Sequence, residues 1–323
     1  MKFLVNGEIY ENISKIGEGS YGKVYLVKDK KGKKYILKKA KNFDDHEKTL
    51  ENFNDLYSEF TLLKEIEDCD NVVKTKGFSV NKASAQYIQN YEEGGDLFNY
   101  LSTHTITYKK CLTFAIQLAK AIKCFHDKNV YHLDLKSHNI VLDKKYQNLS
   151  IIDFGLSKKS KNNKCNQFFN SCSYMAPEIV KGERKEYECS KADIYSLGII
   201  FEELLRNCAH KLASSDTYDF NWLIDKMTNK DPSDRPSINK VVYFIIKIMT
   251  NLVEYEERMK SLTFPIPIDK MKIVKSPVDK MKIVVDKMKI AKSPVDKMKI
   301  AKSPNRVKFS KSPNRVKFAK LKK

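Results

Sequence analysis

Residues 131–155, YHLDLKSHNIVLDKKYQNLSIIDFG, constrain the fold more than any other part of this 323-residue chain. Two short apolar runs, Ile140-Val141-Leu142 and Ile151-Ile152, flank the turn-forming sequence Lys144-Lys145-Tyr146-Gln147-Asn148. Runs this short and this β-branched, joined by such a turn, predict a β-hairpin. Its shoulders carry Asp134 and Asn139 on one side and Asp153 on the other. Two acids and an amide are thereby expected to face one cleft.

Upstream, residues 10–39 (YENISKIGEGSYGKVYLVKDKKGKKYILKK) read as strands, with a turn at residues 29–33. Gly17, Gly19 and Gly22 form G-x-G-x-x-G, with Ile16, Glu18, Ser20, Tyr21, Lys23 and Val24 in and beside the loop. In dinucleotide-binding folds the third glycine opens a helix. Here Lys23-Val24-Tyr25-Leu26-Val27 continues as a strand instead. A glycine loop between two strands lets backbone N–H groups lie over phosphates; a plain glycine-rich hairpin is the competing reading. Lys38 ends the strand Tyr35-Ile36-Leu37-Lys38, and alternation puts Ile36 and Lys38 on one face, with Lys39 on the other.

Leu50, Phe53, Leu56, Phe60 and Leu63 recur at spacings of three and four, predicting a helix over 46–67. Glu59 beside that stripe is the candidate partner for Lys38, with Glu47, Glu51 and Glu65 as rivals. Residues 85–101 pass from a strand through Gly94-Gly95 into a helix, as suits a connection whose backbone could bond an adenine edge. Helical patterns follow at 109–128, 192–206 and 237–254. A strand-rich first part and a helix-rich second part predict a two-lobed α+β fold.

Phosphoryl transfer needs an acid that orients a hydroxyl, a cation that meets phosphate and oxygen ligands for Mg²⁺. Asp134, Lys136, Asn139 and Asp153 offer that set. Over residues 10–250 the chain resembles the eukaryotic-type protein kinase family. The motifs are G-E-G-S-Y-G-K-V at 17–24, Lys38, Glu59, H-L-D-L-K-S-H-N at 132–139 and D-F-G at 153–155. A-P-E at 176–178, D-I-Y-S-L-G at 193–198 and Arg235 in D-P-S-D-R-P complete the series in the family's order.

The resemblance implies a small β-rich lobe with one major helix at about 10–90 and a hinge at about 90–95. A larger helical lobe follows at about 96–250, with an extension at 1–9, a linker at 251–267 and a basic tail at 268–323. Lys38 and Glu59 would form the pair that positions the phosphates of ATP, under the glycine loop and with Ile16, Val24, Ile36 and Val141 beside the nucleotide. Gln89 would be the gatekeeper, Asn90, Tyr91 and Glu92 the hinge against adenine, and Asp96 the ribose contact. Asp134 would orient the substrate hydroxyl, Lys136 would neutralise the moving phosphate, and Asn139 and Asp153 would hold Mg²⁺, with Mn²⁺ as an alternative. Glu178 and Arg235 would form a buried structural pair. Lys136 after H-L-D-L, and Ser171 before Y-M-A-P-E, where it could bond both Asp134 and Lys136, imply serine/threonine specificity in protein substrates. The alternative is a catalytically weak kinase-fold scaffold whose tail carries the function.

Four departures qualify the resemblance. Leu133 replaces the arginine that commonly meets a phosphorylated activation loop, so activity independent of loop phosphorylation is expected. The segment between Leu205 and Trp222 is short for the family, Thr75 takes a place usually apolar, and His138 stands where arginine-directed kinases often carry glutamate.

Residues 265–323 hold 17 Lys and 2 Arg against 4 Asp, a net +15 of the chain's +20. The excess therefore belongs to the tail. From Ile268 the sequence repeats with a period of ten, as in IDKMKIVKSP and VDKMKIAKSP, with one copy of seven and a final period of nine. No solenoid signature fits so short a unit, and its lysine and proline content predicts a disordered or extended segment. Three readings stand open: a solubilising tail, a polyanion-binding tail for nucleic acid or acidic protein, and a substrate for a proline-directed kinase at Ser276, Ser293, Ser303 and Ser312.

Seven scattered cysteines without a C-x-x-C pair predict reduced, mostly core-filling thiols and neither a zinc site nor a disulfide framework. The N-terminus turns polar after five residues, and the apolar run at 241–249 is broken by Lys247. Neither a secretory signal nor a membrane span is expected, which points to a cytoplasmic or nuclear protein.

Overall fold

The computed structural model describes residues 1–19, 22–43, 45–81, 84–168, 173–180, 186–208 and 214–262. Ser20, Tyr21, Ser171 and the tail at 268–323 lie outside the described residues.

Strands β1 (Lys2–Val5), β2 (Glu8–Glu18), β3 (Gly22–Lys28), β4 (Lys34–Ala40), β5 (Thr75–Asn81) and β6 (Ser84–Asn90) form an antiparallel sheet. Their order is β1-β2-β3-β4-β6-β5. The first hairpin turns at Asn6 and Gly7, both at positive φ (50° and 79°), as the tight turns that match strand twist require. The turn between β3 and β4 is tied by Asp29, whose Oδ1 accepts the N–H groups of Lys31 and Lys33 at 2.9 Å each. Residues 1–9 are thus no appendage to the small lobe: β1 pairs with β2, and the Leu4 carbonyl accepts from Ser79 Oγ and Gln86 Nε2. Phe3, Val5, Tyr10, Val27, Tyr35, Leu37 and Ile88 pack together on the sheet face opposite Ile36 and Lys38.

Helix α1 (His46–Glu65) begins at Asp45, whose side chain accepts from the N–H groups of Glu47 and Lys48. Its buried face carries Phe53, Leu56, Glu59 and Leu63. Leu50, expected on that stripe, is 47% exposed. At 3.6 residues per turn it lies roughly a third of a turn or more from the line through Phe53, Leu56 and Leu63.

The larger lobe holds α2 (Leu97–Thr103), α3 (Tyr108–Asp127), α4 (Cys189–Arg206), α5 (Ser214–Met227) and α6 (Ile238–Leu262). Phe114, Leu118 and Ile122 of α3 and Leu197, Ile200 and Phe201 of α4 are fully buried, so these two helices form the centre of the lobe. A side-chain carbon on Gly198 would stand 2.8 Å from Thr228 Cγ2 and 3.0 Å from Met227 Cβ, which is why α4 carries glycine at its closest approach to α5. Helix α6 continues through 251–262, the start of the expected linker.

The short strands β7 (Val130–Tyr131), β8 (Ile140–Leu142) and β9 (Leu149–Ile151) surround the cleft. β8 and β9 form the expected hairpin in the register Ile140↔Ile151, although Ile152 lies beyond its end. β7 pairs with β10 (Lys158–Lys159), and β11 (Lys164–Cys165) pairs with β12 (Tyr187–Glu188).

The cysteines correct the sequence expectation. Cys69 is bonded to Cys124 and Cys165 to Cys189, with Cα atoms 5.7 and 5.5 Å apart. The partners are 55 and 24 residues apart in sequence. Spacing alone therefore held no sign of the short Cα separation that bridging needs. Among the described residues, no helix is long and apolar enough to cross a membrane, and no group of three or more His, Cys, Asp or Glu is arranged to hold a metal.

Candidate active site

Two walls meet at a cavity of about 290 Å³ between the lobes. Ile16, Val24 and Ile36 line it from the strands of the small lobe, and Val141 and Ile152 from the other side. Gln89, Asn90, Tyr91 and Glu92 line the connecting edge, with Asp96 beyond. This edge is fastened to the hairpin: Gly94 N–H donates to the Leu142 carbonyl at 2.9 Å, and Leu142 N–H to Gly95 at 2.8 Å. A side-chain carbon on Gly94 would fall 2.4 Å from the Asp143 carbonyl oxygen, so only glycine allows the approach. Gln89 is buried and accepts from the Tyr87 hydroxyl at 3.3 Å. Asp96 caps α2 by accepting from Asn99 N–H at 2.8 Å. Burial, then the neighbouring Asp143 charge, raises the Glu92 carboxyl above its usual range.

The glycine loop leaves β2 at Glu18 and enters β3 at Gly22, with Gly19 N–H donating to the Gly22 carbonyl at 2.9 Å. Gly22 is needed for packing, because a side-chain carbon there would meet the Lys39 carbonyl oxygen of β4 at 2.4 Å. Gly17 and Gly19 meet no such barrier. Glu18 is held by Lys15 and by Lys41 at 3.4 Å. Lys23 lies opposite Lys39 in the sheet.

Lys38 Nζ reaches the deepest polar point, 2.6 Å from Glu59 Oε1 and 2.7 Å from Asp153 Oδ1. Burial works against its charge, but Glu59, Tyr87 and Asp153 outweigh burial and hold the ammonium well above its usual range. Lys38 in turn holds the Asp153 carboxyl below the usual carboxylate range, against the opposing effect of burial. Glu59 Oε1 also accepts the Phe154 N–H at 3.1 Å. Phe154 is buried against Phe125 and His132, with ring centroids 5.7 and 4.6 Å away. Asp153 is turned toward the lysine by a backbone φ of 67°.

Just ahead of β8, Asp134 Oδ2 accepts from Lys136 Nζ at 2.7 Å and from Asn139 Nδ2 at 3.0 Å. Asn139 Nδ2 also donates to the Asp134 carbonyl at 2.9 Å. With both amide hydrogens spent on Asp134, the Asn139 carbonyl oxygen is the end that can take a cation. Together with the Asp153 carboxylate it would offer hard oxygen ligands of the kind a divalent cation takes.

The sequence reading missed the support beneath this loop. Asp193, fully buried in α4, accepts the N–H groups of His132 and Leu133 at 2.8 Å each and contacts His126 Nε2 at 2.9 Å. Leu133 sits at φ 63°, the conformation that turns the chain into Asp134. The signal was present in D-I-Y-S-L-G, but nothing local assigns its aspartate to a backbone 60 residues upstream. Gly95, His138 and Ile152 also line the cavity, and His138 stacks on Phe98 at 4.1 Å.

The family of the protein kinase domain matches residues 10–219. Serine/threonine-protein kinase Nek1 of Mus musculus is 29% identical over 264 residues, covering 73% of this chain and 21% of that protein. A probable serine/threonine-protein kinase of Dictyostelium discoideum is 30% identical over 262 residues, covering 73% and 27%. CBL-interacting serine/threonine-protein kinase 12 of Arabidopsis thaliana is 31% identical over 202 residues, covering 61% and 40%. The chain thus spans at most about two fifths of the length of these relatives. With a family match that spans both walls of the cleft and the strands and helices that hold them, the chain belongs to the protein kinase family.

Proposed function

We propose that this protein transfers the γ-phosphoryl group of ATP to serine and threonine hydroxyls of protein substrates. One observation carries the reading: Lys38–Glu59–Asp153 and Asp134–Lys136–Asn139 are each internally bonded at 2.6–3.0 Å, and the Ile152 N–H donates to the Asn139 backbone carbonyl at 2.9 Å, which joins the strand leading into Asp153 to the Asp134–Asn139 loop. Asp134 orients the acceptor hydroxyl and takes its proton. Lys136 stays within reach of the same carboxylate, where a cation offsets charge on the moving phosphoryl group. Lys38, kept charged by Glu59, holds the phosphates, and the apolar strips of Ile16, Val24, Val141 and Ile152 take the base. Asn139 and Asp153 would hold Mg²⁺ or Mn²⁺, which would supply neutralisation of phosphate charge when bound.

The serine/threonine class rests on Lys136 following H-L-D-L and on the relatives' names; Ser171 supports it from sequence alone. Transfer of γ-phosphate from labelled ATP to a generic basic protein, followed by phosphoamino-acid determination, tests the reading. Equal transfer by wild type and Asp134→Asn would remove it and leave the scaffold alternative. For that alternative, and as an added role of the kinase, the tail's net +15 supports contact with a polyanion.

A further inference from the structure

Among the described residues the fold joins four cysteines in two disulfides, Cys69 with Cys124 and Cys165 with Cys189, and leaves Cys111 and Cys208 as free thiols. One pair joins the segment after Asp153-Phe154-Gly155 to helix α4. Cys165 belongs to the segment between Asp153-Phe154-Gly155 and Ala176-Pro177-Glu178, and Cys189 opens α4. One turn further along α4 stands Asp193, the residue that holds the backbone of His132 and Leu133 ahead of Asp134. The disulfide therefore ties the segment to the helix that sets the catalytic loop.

Around the disulfide the attachment is made of short non-covalent contacts: the Cys189 N–H donates to the Asn163 carbonyl at 3.2 Å, Lys164 lies 3.8 Å from Glu186, and the Phe168 ring meets Tyr187 at 5.6 Å. β11 and β12 contribute two residues each, and Asn163 bonds Ser190 through both ends of its amide at 2.8 Å. Beneath them Leu133, 2% exposed, packs with Tyr131, Ile179 and Tyr187 in the same apolar cluster as both cysteines. Leu133 carries no charge with which to grip a phosphorylated segment. A covalent link stands over the position where an electrostatic one would need a cation.

We propose that Cys165 and Cys189 form a redox-responsive modification site that holds the segment ready for protein substrate as a disulfide and releases it as two thiols. The chemistry is exchange with a small dithiol. Its thiolate attacks one sulfur of the pair, and its second thiol displaces the resulting mixed disulfide. One S–S bond breaks here, two S–H bonds form, and the dithiol becomes a disulfide. Both cysteines are buried, so exchange proceeds when the two-residue β11–β12 ladder opens.

The proposal rests on the kinase reading only for its activity readout. The full chain is equilibrated in buffers of reduced and oxidised dithiothreitol, and the state of each pair is read by alkylation and peptide mass spectrometry. Amide hydrogen exchange over residues 158–168 and phosphoryl transfer to a generic basic protein are followed in parallel. Reduction of Cys165–Cys189 is expected to speed exchange in that segment and raise the KM for protein roughly tenfold, leaving the KM for ATP unchanged. Cys165→Ser with Cys189→Ser should show the reduced behaviour in every buffer, and Cys69→Ser with Cys124→Ser should keep the response. The proposal fails if the pair stays as thiols in oxidised buffer, or if its reduction alters neither exchange nor the KM for protein. Should no form transfer phosphate, the kinase reading falls while hydrogen exchange still decides the clasp.

Discussion

At the scale of single residues, the cleft depends on charges that are placed before any ligand arrives. Among the described residues Asp134 is bonded through its carboxylate by Lys136 and Asn139, so Asp134→Asn removes the carboxylate charge while keeping the shape. Its kcat is expected to fall by about 10²–10⁴, with the far-UV circular dichroism and the KM for ATP unchanged. Asp153 titrates below the usual carboxylate value because Lys38 lies beside it. A depressed folded pKa contributes stability that is fully present above the unfolded value, about 3.9, and is lost as pH falls through the lower folded value. An acid-titration NMR signal from the Asp153 carboxyl should therefore move only below that range, and in Lys38→Met it should move back up. Leu133 is packed in an apolar cluster, so phosphatase-treated enzyme is expected to keep its rate; loss of activity on that treatment would contradict the role given to this leucine.

At the scale of elements, the buried Glu178–Arg235 pair shows how a sequence motif becomes a joint. Arg235 meets Glu178 through two nitrogens at 2.6 and 2.8 Å and donates to the carbonyls of Asn229 and Lys191 at 2.8 and 2.9 Å. Glu178→Ala leaves that guanidinium buried without its counter-charge, at a cost of about 3–5 kcal/mol. A urea denaturation midpoint lowered to match is the expected result. The turn at residues 29–33 was legible in the sequence because its cause is local: the Asp29 side chain ties the chain back on itself. The cap of α1 at Asp45 and the turn at Asn6-Gly7 are equally local in origin but were not read from the sequence. Leu50 was misplaced because spacings of three and four admit more than one stripe, and only the sheet beneath α1 chooses among them. The two disulfides were missed for a related reason, since sequence distance says nothing about which cysteines face one another.

At the scale of the whole molecule, the lobes are joined by more than the hinge. Val73 N–H donates to the Ile151 carbonyl at 3.0 Å and Ile151 N–H to Asn71 at 2.8 Å. The bond between Cys69 and Cys124 secures the same stretch to α3. The loop after α1 is thus fixed to the hairpin flanked by Asn139 and Asp153. The tail belongs to a different physics. A chain ending at residue 262 is expected to unfold at the same temperature as the full chain, because every core side chain described lies before that point. Retention on DNA-coated filters should be weaker without the tail, and the difference should shrink linearly with the logarithm of salt concentration. Equal retention by both forms would exclude a polyanion contact through the tail.

The sequence by itself determined the family and the order of the motifs along the chain. Glycine spacing, alternation through Ile36 and Lys38, and the polar shoulders of one hairpin are short-range patterns, and backbone geometry converts them directly into strands and turns. Tertiary structure alone decided which of four glutamates meets Lys38, that Asp193 supports the catalytic loop, and that Cys165 finds Cys189. Those choices depend on contacts between segments far apart in the chain, where burial and packing set the partners and no local pattern can.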